Sequence, residues 1–269
     1  MQTTDDSIGA IICFVLSAFF TINARRNQTL RKSTTVVNLS AVSSSSSSAS
    51  SKTSKEKLEP GQQLSASLSV NLYGLKSLRS EFSSTNLPNP SVERAHHIPD
   101  NEIILYQTQW RYNKPDLSSD AYLRAGPRAT LHFDPPKVTA AIVTSGGLCP
   151  GMNNVIREIV HSLYYQYNVK QVLGVCGGYT GFRPDREPIL LTVENTAHIH
   201  HQGGSFLPSA RGGLDLNAVI DFLKKHDISQ LYIIGGDGTH RAADLIAKEV
   251  ISRRLNIAVC GIPKTIDNG

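Results

Sequence analysis

Cysteine is scarce and scattered. The four cysteines in 269 residues, Cys13, Cys149, Cys176 and Cys260, form no CxxC pair, which argues against a disulfide framework and a zinc ribbon. A reducing compartment is then the default. Long apolar runs are missing too. The longest, Ile8 to Phe20, has 13 residues, short of the roughly 18–20 that cross a bilayer as a helix, so no membrane partner is expected. Acidic residues are absent between Ser7 and Lys55, where Arg25, Arg26, Arg31, Lys32, Lys52 and Lys55 occur instead. Much of the formal net charge of +5 lies in this stretch, so it makes no case for a nucleic-acid partner. With 40% hydrophobic residues, the chain has enough apolar content for one core and a polar tail.

The two halves differ in composition. Residues 1–130 hold 23 serines and 4 glycines, whereas residues 131–269 hold 6 serines and 16 glycines. Few acids, many hydroxyls and scattered basic residues describe an organellar transit peptide, and the run Ser43 to Ser48 sits among them. Residues 1–55 are therefore expected to be a transit peptide or a disordered tail. Ile8–Phe20 has the length of a secretory signal core, but Asp5 and Asp6 stand where such a signal carries positive charge. Residues 56–137 read as an irregular arm that packs on the following domain. Pro88, Pro90, Pro99, Pro115, Pro127, Pro135 and Pro136 argue against long helices there. Ile103, Ile104, Leu105 and Tyr106 suit a short strand.

From residue 138 the pattern becomes regular. Val138–Thr144 is a continuous apolar run of the kind a doubly buried strand shows. Val155, Ile156, Ile159, Val160 and Leu163 then recur at helical spacing. Strands are expected at Val172–Val175, Ile189–Thr192, Leu231–Ile234 and Ile257–Cys260, with helices around Leu216–Leu223 and Ala242–Val250. Such alternation implies an α/β fold, a doubly wound, Rossmann-like parallel sheet with helices on both faces, over residues 138–269.

Chemistry-bearing loops follow the predicted strand ends, the edge where open α/β sheets bind ligands. Ser145-Gly146-Gly147-Leu148-Cys149-Pro150-Gly151 precedes a helix. Its glycines let backbone N–H groups approach an anion at a helix N-terminus. Gly235-Gly236-Asp237-Gly238-Thr239 suits a nucleotide polyphosphate with its metal, Asp237 offering the hard oxygen ligand that Mg²⁺ takes. Pro263-Lys264-Thr265-Ile266-Asp267-Asn268 offers Asp267 as a proton acceptor beside a phosphate site. Arg211, within Gly203–Gly213, suits a phosphate clamp. Tyr179 and Phe182 suit either a base pocket or loop anchoring. His198, His200 and His201 lack a Cys or carboxylate partner set and read as surface residues. On these residues alone a dinucleotide or lipid kinase remains open, since such kinases carry a similar GGDGT.

Thr144-Ser145-Gly146-Gly147-Leu148-Cys149-Pro150-Gly151-Met152-Asn153 resembles the opening phosphate loop of the 6-phosphofructokinases. Gly203 to Arg211, Gly235 to Thr239 and Pro263 to Asn268 resemble three further motifs of that family, in the same order. The lead-in Arg124-Ala125-Gly126-Pro127-Arg128 resembles its plant-type branch. The resemblance implies that Gly146, Gly147, Arg211, Gly212, Gly236, Asp237, Gly238 and Thr239 contact ATP, and that Asp237 binds Mg²⁺. It implies that Thr265, Ile266 and Asp267 place the sugar phosphate, with Asp267 catalytic as the proton acceptor. The reaction implied is ATP-dependent phosphorylation of fructose 6-phosphate to fructose 1,6-bisphosphate, in a homo-oligomer, in the plastid or alternatively the cytoplasm. Gly238 and Lys264 bear on the phosphoryl donor. Pyrophosphate-using members carry Asp at the position of Gly238, where a carboxylate would repel the ATP α-phosphate. ATP is therefore the expected donor, with a pyrophosphate-dependent enzyme and a non-catalytic nucleotide-binding or regulatory subunit as alternatives.

Two departures from the family pattern stand out. Gly269 occupies the place of a second aspartate, and Pro208 stands where Gly or Thr is more usual. The family's second α/β domain lies beyond the last matching motif. In-line transfer needs both substrates held. The expectation is that the 269-residue chain by itself does not phosphorylate sugar phosphate, and measured turnover in a coupled assay would refute it.

Overall fold

The computed structural model describes residues 34–40, 65–72, 82–90, 97–99, 102–105, 118–124 and 126–264. The chain divides into two compact units. One comprises Asn27–Tyr73 and Ile103–Leu123 and carries a four-stranded sheet. Its strands are β1 (Thr34–Ser40), β2 (Ser65–Leu72), β3 (Ile103–Leu105) and β4 (Ser118–Leu123), in the order β1-β2-β4-β3. β1 and β2 are antiparallel, with Thr34 opposite Asn71. β2 and β4 are parallel, and β3 runs antiparallel to β4. β1 falls inside the stretch read as a tail, where Thr and Val supply β-branched residues suited to a pleated strand. β3 coincides with the predicted Ile103–Leu105 run, while Tyr106 lies outside the described residues.

The other unit comprises Met1–Arg26, Gly74–Glu102 and Arg124–Gly269. Its sheet contains β5 (Thr139–Thr144), β6 (Gln171–Val175), β7 (Ile189–Leu191), β8 (Gln230–Gly235) and β9 (Ala258–Pro263). The order is β7-β6-β5-β8-β9. β6, β5, β8 and β9 are mutually parallel, with Ile142 opposite Gly174 on one side and Tyr232 on the other. β7 is antiparallel to β6, so the sheet is mixed where the sequence pattern predicts a purely parallel one. The reason is the connection. A parallel return normally needs a helical crossover, and between Val175 and Ile189 there is only the short 3₁₀ turn Gly178–Phe182.

Helices α1 (Met152–Tyr165), α2 (Val193–Thr196), α3 (Leu216–Lys225) and α4 (Asp237–Ser252) complete the unit. Side chains alternate across each strand, and two cores result. On one face Ala140, Ile142, Tyr232, Ile234, Ala258 and Cys260 meet Ile156, Ile159, Val160 and Leu163 of α1. On the other, Ala141, Val143, Leu231, Ile233 and Val259 meet α3 and α4 through Val219, Leu223, Ile246 and Val250. These helical positions recur at three- and four-residue intervals, which is what puts them on one stripe. The connection through α1 and the connection through α4 thus cover opposite faces of the sheet.

The arm before residue 138 joins the first core through Leu131 and Phe133. Leu131 N–H donates to the Leu87 carbonyl, and Asn89 N–H to that of Ala129. Arg128 is 1% exposed. Its guanidinium donates to the backbone carbonyls of Ile98 (2.8 Å), Pro99 and Arg124 (2.7 Å). Among the described residues no helix is long and apolar enough to cross a membrane.

Burial lowers the pKa of His161 on α1 and of His226 after α3, with Arg157 and Lys225 acting in the same direction. Below the ordinary value of 6.5, the unfolded chain binds more protons than the folded one. Stability contributed by these neutral rings is full above that value and is lost as the pH falls towards the depressed folded values. Denaturant titrations from pH 7 to about pH 5 should show falling stability, and replacing both histidines by glutamine should flatten the slope.

Candidate functional site

β5 and β8 are neighbours, yet their following helices go to opposite faces. This makes the carboxyl ends of β5 and β8 the topological switch point, where a crevice opens between two departing loops. Ser145–Gly151 leaves β5 and Gly236 leaves β8. Ser145 N–H donates to the Ile234 carbonyl at 2.9 Å, which keeps the two loops in step past the last strand residues.

Both helices that start at this crevice begin with a glycine. The N-cap of α1 is Gly151 at φ 87°, a left-handed conformation that a side chain would strain. The N-cap of α4 is Gly236. Neither helix has a side-chain cap. The contrast with α3 is informative, because Asp215 caps it by accepting from Asn217 and Ala218 N–H groups at 3.0 and 3.2 Å. Thr192 and Asn195 cap α2 reciprocally. The amides of the first turns of α1 and α4 therefore lack intrahelical partners, and each helix end carries partial positive charge. That combination binds anions, phosphate above all.

A third segment, Gly203–Gly213, closes on the same edge. Gly146 N–H donates to the Ala210 carbonyl (3.0 Å), Ser145 Oγ to the same oxygen (3.2 Å), and Ser209 Oγ to the Gly146 carbonyl (2.9 Å). Thr144 Oγ1 donates to Leu207 O at 2.9 Å. Asn153, almost fully buried, donates to Ile199 and Gln202 carbonyls and accepts from Phe206 N–H. These bonds bring Arg211 beside the first loop. A methyl on Gly147 would lie 3.4 Å from Arg211 Nη2. Arg211 is exposed and forms no ion pair among the described residues.

Gly146, Gly147, Arg211, Gly236, Asp237, Gly238 and Thr239 thus converge at one edge, with Gly212 following Arg211 at φ 69°. Asp237 and Gly238 are exposed at the start of α4, and a methyl added to Gly238 would meet nothing within 4 Å. Thr239 differs. It is buried, its hydroxyl donates to the Ser145 carbonyl at 3.5 Å, and Tyr179 donates to its carbonyl at 2.7 Å. Its side chain ties the two loops, and Gly235 gives it space, since a methyl there would lie 2.5 Å from it. Lys264 N–H donates to Gly235 O at 2.9 Å, which sets the start of the third motif beside the second. Thr265, Ile266 and Asp267 lie outside the described residues.

Among the described residues no group of three His, Cys, Asp or Glu side chains could hold a metal by itself. A lone exposed Asp237 is the donor set that Mg²⁺ accepts when phosphate oxygens and water complete its shell. His198 and His201 are exposed around a single 3₁₀ turn, Ile199–His201. Thr144, Asn153 and Ser209 lie within the motifs and Tyr179 suits loop anchoring, but the partners they tie carry no sequence signature, because each is many residues away.

The fold is an open α/β sheet with two uncapped helix N-termini at its switch point, the place where sheets of this class bind their ligands. Residues 139–269 match the family model described as Phosphofructokinase, and this part of the chain belongs to that family. The chain is similar to ATP-dependent 6-phosphofructokinase 7 of Arabidopsis thaliana, 51% identical over 147 residues that make up 55% of this chain and 30% of that protein. It is also similar to ATP-dependent 6-phosphofructokinase 4, chloroplastic, of Arabidopsis thaliana, 49% identical over 147 residues, 55% of this chain and 28% of that protein. The chain therefore spans less than a third of these two curated relatives. A solved structure of phosphofructokinase from Saccharomyces cerevisiae matches with a TM-score of 0.44 and 22% identity, over 49% of this chain and 18% of that one.

Tyr179 tests the role of the loop ties. Burial pushes its hydroxyl well above the ordinary tyrosine range, so it stays protonated and able to donate. Tyr179→Phe should cost about 1 kcal/mol of stability in denaturant unfolding, and an unchanged midpoint would show that the bond to Thr239 contributes nothing.

Proposed function

We propose that this chain serves ATP-dependent phosphorylation of D-fructose 6-phosphate to fructose 1,6-bisphosphate, its α/β unit holding the nucleotide. The observation that carries the reading is the pair of uncapped helix N-termini, α1 and α4, facing one crevice. First-turn amides would cradle the phosphate chain, and Arg211 would place its guanidinium against phosphate oxygens. Gly238 leaves the room that a nucleoside polyphosphate requires. Asp237 would hold Mg²⁺, which supplies charge neutralisation to the phosphates when bound. Thr265 and Ile266 would place the sugar phosphate, and Asp267 would accept the proton of the C1 hydroxyl as the γ-phosphoryl group moves to that oxygen.

The names of the curated relatives favour ATP as donor, and one of them is designated chloroplastic. Together with the acid-free stretch Ser7–Lys55, that supports plastid import, which a fluorescent fusion to residues 1–55 would test in isolated chloroplasts. Self-association of the working enzyme is part of the same reading.

Isothermal titration of the 269-residue chain with ATP, with and without Mg²⁺, tests the nucleotide role directly. The expected result is Mg²⁺-promoted binding of ATP. Gly238→Asp should fold normally, because a Cβ added there meets nothing within 4 Å, but should lose at least about tenfold in ATP affinity through charge repulsion. Absence of ATP binding by the unsubstituted chain would overturn the reading.

A further inference from the structure

His240, in the first turn of α4, is absorbed by none of the motif roles above. The Gly236 carbonyl accepts two hydrogen bonds from this one residue, from its backbone N–H at 3.0 Å and from its ring Nδ1 at 3.0 Å. A carbonyl only accepts, so Nδ1 carries a proton. In the neutral ring Nε2 is then a bare acceptor, and it is buried without a hydrogen-bond partner. The ring lies against Gly261 of β9. A methyl there would stand 2.6 Å from Cδ2 and 2.8 Å from Nε2.

We propose that His240 is a positioning residue that aims the Asp237 amide at a bound polyphosphate and couples that amide to strand β9. The proposal rests on the reading of this crevice as a polyphosphate site. The Gly236 carbonyl and the Asp237 N–H belong to one planar trans peptide and point in opposite directions. Two bonds that draw the carbonyl into the helix therefore turn the N–H out of its N-terminus. No side chain caps α4, so the ring does from within what a cap does elsewhere: it fixes the first peptide plane while leaving the amide open. Through Gly261 the ring also touches the strand that leads to Lys264, whose N–H is bonded to Gly235. The phosphate-facing amide and the start of the PKTID segment are thereby held by one side chain and one backbone bond.

Three substitutions separate the donor from the bulk. His240→Phe keeps the ring and removes the Nδ1 donor. His240→Asn places an amide nitrogen where Nδ1 stands. Gly261→Ala leaves the donor intact and displaces the ring. Binding of Mg·ATP and of inorganic tripolyphosphate to the 269-residue chain is measured calorimetrically, with melting curves alongside. Both His240→Phe and Gly261→Ala are expected to weaken binding of both probes by about fivefold, the factor that one net hydrogen bond represents. His240→Asn is expected to restore most of that loss. Nitrogen-15 NMR of the unsubstituted chain is expected to report the Nδ1-protonated tautomer, a readout independent of whether any variant folds. An Nε2-protonated ring overturns the proposal. So does undiminished binding by a folded His240→Phe, or failure of His240→Asn to restore binding, while unsubstituted chain that binds both probes leaves the phosphate reading standing. If the unsubstituted chain binds neither probe, the phosphate reading fails and this inference fails with it.

Discussion

Side-by-side pairing of β5 and β8, with their helices sent to opposite faces, brings two helix N-termini of the same partial charge to one edge of the sheet. Among the described residues Asp237 is the acidic side chain in the first turn of α4, and α1 has none. The strand ends lie together because Ile142 and Val143 stand in register with Tyr232 and Ile233, and the helices are held in place by apolar stripes below. The hydrophobic cores on the two faces thus hold together an arrangement that electrostatics alone would push apart.

The loops around this edge are ordered by bonds to carbonyl oxygens, from side-chain hydroxyls and from the amides of Ser145, Gly146 and Lys264, and no side chain caps the first turns of α1 and α4. Thr144, Ser145, Ser209, Tyr179 and Thr239 all donate hydroxyl protons to backbone carbonyls. Hydroxyls that accepted from amides would compete with a ligand for the same N–H groups. The division of labour is consistent. Carbonyls are tied inward by hydroxyls, and at Gly147, Gly178 and Gly235 a Cβ would meet a neighbouring segment.

Much of this was legible in the sequence because the central strands are continuous apolar runs and their boundaries follow directly. β5 and β8 match the predicted runs to within a residue at each end. The α4 start is less legible. Periodicity marks Ala242 as the first apolar helical residue, yet the helix begins at Asp237, since its first turn is polar and contains a glycine of low helix propensity. The direction of β7 is set by the lack of a crossover helix, which a run of three apolar residues does not reveal. The motif glycines and Arg211 were legible as a set through their resemblance to a known family. The resemblance assigns Thr239 a ligand contact, and the structure adds a tie that the motif does not state, from its hydroxyl to the Ser145 carbonyl. Sequence motifs preserve chemistry at a position without stating which neighbour a side chain meets.

The composition break near residue 138 does not coincide with a mechanical boundary. Leu131 and Phe133 belong to the same core as α1 and β5, and Arg128 is sealed among carbonyls of Ile98, Pro99 and Arg124. A recombinant fragment cut at the start of the α/β pattern would keep every loop of the crevice and still expose the apolar surface those two side chains cover. Such a fragment would be prone to aggregate, with its chemistry intact on paper and its solubility lost. The smallest expressible piece of this chain is therefore defined by the arm, and hydrogen exchange in β5 should slow only once residues 126–133 are in place.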